Sequence, residues 1–309
     1  MRTRTIPFRW LPRPVMAAAT TLALAAGTAV TVLAGPAAQA SSGLSNVVVV
    51  TSAPSGPDSV SPKAATATCP KFFTVIGAGG DISGGAGKVA LEQVQPDLRT
   101  RSVQVTAAET DRNPLNWSVR ARAICAPVPG GLVEKVWHSA ITSADKEQTV
   151  RCPAGKTLLG FGYAVLNGNG QVVVTKDAPL DGSLNSPATK LTVGAHEEDG
   201  TAAKWRLVIT LLCANPIANQ LVSSNSDFIG TARAKSVETA DCLNGQHATG
   251  GGFEVLPTTA GADGDFAVTS IAPVVPALPA PSPLKFRGTV YKEDPTSSDA
   301  QIFVHTLCA

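Results

Sequence analysis

One glycine-rich stretch of the sequence carries a serine in a pattern that suits a nucleophile. Residues 77–85 read GAGGDISGG, a near match to the GDSGG that surrounds the reactive serine of chymotrypsin-type proteases. The chemistry would be acyl transfer from Ser83, with a histidine as its general base. In that protease class the histidine precedes the serine, whereas all four histidines here follow Ser83. We therefore predict that Ser83 has no catalytic role and that the protein is not an enzyme.

Carboxylates recur at one position of the sequence and are the candidate ligand-binding residues. Asp111, Asp199 and Asp294 each stand fourteen residues before a cysteine. Carboxylates can accept hydrogen bonds from sugar hydroxyls, but aspartate is also a common residue for opening a turn, and both interpretations stay open. The adjacent pair Glu197 and Glu198 does not set the separation between two carboxylates that glycosidases need. A secreted hydrolase is therefore only the third hypothesis.

The sequence predicts neither a metal site nor a cofactor. Residues 196–199 read HEED, but residue 200 is glycine where the H-E-x-x-H motif requires its second histidine. The cysteines lack the C-x-x-C spacing that is typical of zinc sites.

The first forty residues have the features of a secretory signal peptide. Four arginines form a basic head, an apolar run extends from about Val15 to Ala34, and small residues end at Ala40. We predict cleavage after Ala40, a secreted extracellular protein and no later membrane span. A retained membrane anchor is the alternative, because the apolar run approaches the length that crosses a bilayer.

The charge that remains after cleavage argues against a nucleic-acid partner. The whole chain has 25 basic and 23 acidic residues, and four of the basic residues lie in the first forty. The mature chain would keep 21 basic and 23 acidic residues, a formal charge of −2. Binding to nucleic acid would instead require a clustered basic surface.

Three copies of one unit follow the predicted signal peptide. Aligned on a cysteine, the copies read CPKFFTVIGAGGDI, CPAGKTLLGFGYAV and CLNGQHATGGGFEV. Glycines recur eight and ten residues after that cysteine, at Gly77, Gly79, Gly160, Gly162, Gly250 and Gly252. Two glycines at alternate positions leave one face of a strand bare, which permits close approach by another backbone or by a side chain such as tryptophan. This structural role is favoured over phosphate binding, since no helix follows the pattern.

Each copy closes with an alternating strand that ends in a second cysteine. These strands read NWSVRARAIC, KWRLVITLLC and AQIFVHTLC, and period two places Trp117 and Trp205 on the same face as the cysteines. We predict that both tryptophans pack in the core. An exported chain with six cysteines forms disulfides, and the repeat selects the pairs Cys69–Cys125, Cys152–Cys213 and Cys242–Cys308.

The fold class that follows is all-β, with three tandem disulfide-stapled repeats. We expect a signal peptide at 1–40 and repeats at 41–130, 131–217 and 218–309. The sequence leaves open whether the repeats close with pseudo-threefold, β-prism-like symmetry or stand as separate beads. A proline-rich stretch at residues 271–284 predicts an extended, solvent-facing loop in the third repeat.

The repeat motif resembles that of a group of secreted actinobacterial proteins of unknown function. The second copy carries it best, as CPAGKTLLGFG and WRLVITLLCA, and the first copy departs from it at Phe72 and Phe73. The resemblance covers nearly the whole mature chain and implies no activity. A three-copy β architecture is also similar to β-prism proteins, some of which are lectins, although this is an analogy of fold alone.

We therefore predict a non-catalytic extracellular protein with a structural or adhesive role at the envelope or matrix. The alternative is a glycan-binding module whose partner is extracellular or cell-wall polysaccharide. An exposed aromatic beside the aspartates would favour the glycan-binding module. A deep cleft with two facing carboxylates would favour the hydrolase, and a flat polar surface would favour the structural role.

Overall fold

The structure is a computed structural model. It describes residues 43–179, 186–198, 200–243, 245–276, 282–293 and 298–309. The predicted signal peptide and its cleavage site at Ala40 lie outside these residues, as do Asp199 and Asp294. All of the described residues belong to one compact unit, Ala38–Ala309.

Each repeat contributes six strands, in the same order along the chain. The first repeat holds β1 (Val48–Thr51), β2 (Lys63–Thr68), β3 (Thr74–Gly84), β4 (Val89–Asp97), β5 (Ser102–Glu109) and β6 (Trp117–Ala126). The second holds β7 (Val133–His138), β8 (Lys146–Arg151), β9 (Thr157–Leu166), β10 (Val172–Ala178), β11 (Lys190–Glu197) and β12 (Arg206–Ala214). The third holds β13 (Leu221–Phe228), β14 (Ala234–Glu238), β15 (Ala248–Pro257), β16 (Phe266–Val274), β17 (Lys285–Lys292) and β18 (Ala300–Cys308). The helical segments of the described residues are two short 3-10 turns, Gly85–Gly87 and Asp263–Asp265.

The strands form three six-stranded sheets, and every sheet joins half of one repeat to half of another. Sheet I has the order β1-β6-β3-β16-β17-β14, sheet II the order β7-β12-β9-β4-β5-β2, and sheet III the order β13-β18-β15-β10-β11-β8. The prediction of an all-β fold with three repeats is confirmed. The first repeat shares a sheet with the third, the third with the second, and the second with the first. The repeats therefore close into a ring around one hydrophobic core and are not separate beads.

The first glycine of each G-x-G pair lies where the three repeats meet. A Cβ added to Gly77 would lie 1.7 Å from the carbonyl oxygen of Thr249, and one added to Gly160 would lie 2.0 Å from that of Ile76. At Gly250 the nearest atom to an added Cβ is the Cα of Gly160, 3.2 Å away. Each repeat thus contacts the next through bare backbone, which only glycine allows at these distances.

The second glycine of each pair lies close to the backbone of a strand from another repeat. A Cβ on Gly162 would lie 2.0 Å from the carbonyl oxygen of Val94, and one on Gly252 would lie 1.8 Å from that of Asp177. Gly79 packs in the same way against β16. The approach that the sequence predicts is made by backbone of another repeat and not by tryptophan.

Three disulfides link the sheets to one another. The bonds are Cys69–Cys125, Cys152–Cys213 and Cys242–Cys308, the pairs that the repeat selects. Cys69 and Cys152 directly follow β2 and β8, and Cys242 lies four residues after β14; the second cysteine of each pair lies in a strand of a different sheet. The three bonds consequently join sheet I to sheet II, sheet II to sheet III, and sheet III to sheet I.

Both tryptophans are buried in the core, as predicted. Trp117 donates a hydrogen bond from Nε1 to Glu109 over 3.0 Å, and its ring lies 4.4 Å from the Nζ atom of Lys63. Trp205 repeats the arrangement in the second copy with Glu197. In both copies a lysine amine lies over the face of the indole ring, and a carboxylate accepts the hydrogen bond of the indole N–H.

The predicted loop at residues 271–284 is wrong for its first four residues, which belong to β16. Pro273 pairs with Phe286 of β17 on one side of β16. On the other side the pairing with β3 ends at Ile271, so Pro273 is not paired there, and the proline is tolerated. The missing N–H of this proline is therefore not needed for a ladder hydrogen bond. Residues 277–281 of the predicted loop lie outside the described residues.

Candidate functional site

The structure places one of the three candidate aspartates. Asp111 follows β5 and forms an ion pair with Lys88, and 37% of its side chain is exposed. Asp199 and Asp294 are not among the described residues, so their role as ligand-binding residues stays a prediction. Ser83, the serine of the nucleophile-like stretch, is exposed on β3 and pairs in register with Ser118 of β6.

A different set of polar side chains lies on the outer faces of the sheets, where a strand of one repeat pairs with a strand of the next. On sheet I, Asp81 of β3 is opposite Ser270 of β16, which is opposite Thr289 of β17. Directly opposed residues on neighbouring antiparallel strands point to the same side of a sheet. On β6 the residue opposite Asp81 is Arg120; Arg122 lies two residues farther along the same face, and its Nε donates a hydrogen bond to Asp81 over 2.7 Å.

This row borders a groove, which we name the sheet I groove. Its volume is 470 Å³, and its lining includes Asp81, Arg122, Ser270, Arg287, Thr289 and Tyr291. Asp81 is the only carboxylate among its described lining residues. The described residues of the groove do not include the two facing carboxylates that the hydrolase hypothesis requires.

The polar atoms of the groove are only partly satisfied by the protein. Asp81 and Arg122 are held by each other, and Thr289 shares a hydrogen bond with Ser236 over 2.9 Å. Within the part of the chain that the structure describes, the hydroxyls of Ser270 and Tyr291 have no hydrogen-bond partner, and Arg122 has none besides Asp81. These groups are open to solvent and available to a ligand.

Sheet II carries amides and hydroxyls at the same positions, and they bind one another. Gln93 takes the place of Ser270 and accepts a hydrogen bond from Thr106 over 3.0 Å. Its amide nitrogen donates to Gln95 over 2.9 Å, and Gln95 donates to Thr210 over 3.1 Å. Ala164 stands where sheet I has Asp81, so this sheet lacks the carboxylate.

Sheet III carries charges at the same positions, and they are also paired. Lys176 takes the place of Ser270 and lies 3.0 Å from Glu254 and 3.5 Å from Glu147. Burial alone would lower the pKa of the Lys176 amine, but the hydrogen bond and charge of Glu254 outweigh it and raise that pKa. The charges of this sheet therefore hold one another.

His305 of sheet III occupies the position that Arg122 has on sheet I. Its Nδ1 lies 2.7 Å from the hydroxyl of Ser224. Burial, aided by the positive charge of Lys176, lowers the pKa of His305 to about 4. The imidazole is consequently neutral at physiological pH, and it is a poor general base for the neighbouring serine.

One buried carboxyl group lies in the core of sheet III. Asp177 of β10 pairs in register with Val193 and Phe253, and it takes the inward position that Val94 and Ile271 hold in the other repeats. It is 2% exposed, and its Oδ1 has no hydrogen-bond partner in the described structure. Burial raises the pKa of this carboxyl well above its ordinary value.

The sequence analysis missed the groove residues, although a signal was present. Asp81 stands twelve residues after the first cysteine of its repeat, and Arg122 stands three residues before the second. A comparison of outward strand positions across the copies would have set Asp81 beside Ala164 and Glu254. The three aspartates before the closing strands recur at one position of the repeat, so a search for recurring residues finds them. Asp81 and Arg122 do not recur in the other copies, so the same search does not find them.

The described residues contain no group of three or more histidine, cysteine, aspartate or glutamate side chains placed to hold a metal ion. Nor do they contain a helix with the length and apolarity that a membrane crossing requires.

Comparison with known proteins adds no assignment. No protein-family model matches this chain, and no curated protein matches it. The likeness to the actinobacterial repeat proteins stays a prediction, and the function must be argued from the chemistry of the sheet faces.

Proposed function

We propose that this chain is a secreted, non-catalytic protein with an adhesive role at the extracellular envelope or matrix. Three disulfides indicate an oxidising compartment outside the cytoplasm. The predicted signal peptide supports export to the same compartment.

The observation that carries the proposal is the polar row at one position on all three sheets. The inner faces of the sheets share a single core, so each outer face presents its own polar surface. Each row contains residues from two repeats, and the disulfides between sheets fix the rows relative to one another. The row on sheet I has polar groups that are open to a ligand, and because the disulfides hold that row in a fixed arrangement, little order is lost when it contacts an extracellular polymer.

A non-catalytic role is supported by the way in which these polar groups are used. The charges on sheet III and the amides on sheet II are engaged with neighbouring side chains. General acid–base chemistry requires groups with matched pKa values that are free to exchange protons with a substrate. The neutral, buried imidazole of His305 does not meet that requirement.

Co-sedimentation of the mature protein with insoluble cell-envelope or matrix polysaccharide tests the proposal. We expect saturable binding that exceeds that of an unrelated disulfide-bonded protein of similar size and charge. We also expect the polysaccharide chain length to stay unchanged after prolonged incubation. A protein that remains in the supernatant at all polysaccharide concentrations would contradict the adhesive role, and release of shorter saccharides would contradict its non-catalytic character.

A further inference from the structure

We propose that the sheet I groove is a binding site for the hydroxyl groups of a neutral saccharide. This inference rests on the proposed adhesive function and names the chemistry that the adhesive surface would contact. It assigns the site to one sheet only.

Asp81 and Arg122 supply an acceptor and a donor side by side. The hydrogen bond from Arg122 Nε to Asp81 Oδ1 holds both side chains in place, and they are 24% and 20% exposed. The second carboxylate oxygen and the terminal guanidinium nitrogens stay available. Of two neighbouring hydroxyls on a sugar ring, one can donate to the carboxylate and the other can accept from the guanidinium. Hydrogen bonds to charged groups are stronger than those between neutral groups. Because the pair is already ordered, little side-chain entropy is lost on binding.

Tyr291 adds an aromatic surface to the same groove. A Cβ on Gly87 would lie 2.8 Å from the Cδ1 atom of Tyr291, so the ring rests directly on the glycine backbone and is held there. The ring is partly exposed and its hydroxyl has no hydrogen-bond partner in the described structure. A fixed tyrosine offers an apolar face to the C–H groups of a sugar ring and a polar tip to its hydroxyls.

The charges of the groove favour a neutral ligand over an acidic one. Arg122 is paired with Asp81, and Arg287 with Glu238, to which its Nε donates over 2.6 Å. Glu238 is shared with Lys285, which also pairs with Asp241, so the two cations face two carboxylates. An acidic saccharide would have to displace a carboxylate from one of these pairs. Sites for anions instead present cations that are not already neutralised.

The other two sheets explain why one site is expected and not three. At the equivalent positions the amides of sheet II and the charges of sheet III are bound to one another, as described above. A ligand at either place would have to break protein hydrogen bonds before forming its own. On sheet I, Ser270 and Tyr291 lose only water.

Titration calorimetry of the mature protein with soluble oligosaccharides tests the proposal. The probes are cellopentaose, maltopentaose, mannopentaose and chitopentaose, with a galacturonate oligomer as the acidic comparison. We expect one-to-one binding of at least one neutral probe, and weaker binding of the acidic oligomer. Failure of all four neutral probes to bind at concentrations on the order of 10 mM, or preference for the acidic oligomer, would overturn the inference.

Variants locate the site. Asp81→Asn keeps the side-chain shape and removes the charge, whereas Arg122→Gln shortens the side chain and removes the charge; each should weaken binding by about tenfold or more. Gln104→Ala changes the residue of sheet II that is equivalent to Arg287, and it should bind as the unmodified protein does. Unfolding temperatures of the variants serve as the check on folding. Equal affinity of Asp81→Asn and the unmodified protein would overturn the assignment to this groove.

The same variants separate this inference from the proposed function. If Asp81→Asn still co-sediments with envelope polysaccharide, the adhesive role stands and the groove is not its site. If the unmodified protein does not co-sediment, the adhesive role itself fails.

Discussion

Replacing Asp177 with an apolar residue should stabilise the protein, because this carboxyl group is buried and Asp177 pairs in register with Val193 and Phe253. The carboxyl faces the core of sheet III at a position where the other repeats have Val94 and Ile271. A buried polar group without a hydrogen-bond partner costs about 1–3 kcal/mol. Asp177→Val should recover that free energy of unfolding, and it introduces a residue that suits a strand. In a protein of this size, each kcal/mol raises the unfolding temperature by about 2–4 °C.

The pH dependence of this effect has a definite sign. The pKa of Asp177 is raised in the folded protein, so the folded state keeps a proton that the unfolded chain releases. Its contribution to stability is complete below the unfolded pKa and is lost as the pH rises through the folded pKa. The advantage of Asp177→Val over the unmodified protein should therefore grow from pH 4 toward alkaline pH.

Urea unfolding at a series of pH values measures both effects. Asp177→Asn is the matched control, because it cannot ionise but remains a buried polar side chain. It should remove the dependence on pH without giving the full gain that valine gives. Asp177→Val with lower stability than the unmodified protein at every pH would refute the placement of this side chain in the core.

The remaining predictions concern the glycine contact between repeats, the disulfides and the buried histidine. Gly160→Ala should destabilise the fold by about 3 kcal/mol or more, because its Cβ would lie 2.0 Å from a backbone oxygen. Gly130→Ala is the control, because its Cβ would make only an ordinary contact with Asn215 at 3.7 Å, and it should change the urea midpoint very little. Serine at both Cys69 and Cys125 should cost about 4 kcal/mol by the chain-entropy relation, and a loss near zero in urea unfolding would contradict a staple between two sheets. NMR titration should give His305 a pKa of about 4. The stability that its neutral form contributes should therefore be lost as the pH falls from the unfolded pKa toward 4. An ordinary histidine pKa would show that the imidazole is not buried.

The parts of the fold that repeat along the chain could be predicted from sequence. Cysteine spacing selected the disulfide pairs, and the bare face of G-x-G predicted close backbone contact at Gly77 and Gly160. The exchange of strands between repeats could not be predicted, because alternation shows which face of a strand is buried but not which strand lies beside it. The junction of β4 with β9 rests on two register pairs alone.

The candidate site was harder to predict for a related reason. Asp81 comes from the third strand of the first repeat and Arg122 from its sixth, and Tyr291 comes from the third repeat. Only the pairing of β3 with β16 brings these strands into one sheet. Asp111 was predicted from its recurrence in the sequence, and the structure shows it in an ion pair with Lys88.

We propose that the protein contacts a neutral saccharide in the sheet I groove. Backbone amide chemical shifts, recorded by NMR during titration with a neutral oligosaccharide that binds, show which residues the saccharide contacts. We predict that the largest changes cluster on β3, β6, β16 and β17, around Asp81, Arg122 and Tyr291. Changes that centre on sheet II, on sheet III or on the turn that contains Asp111 would contradict it.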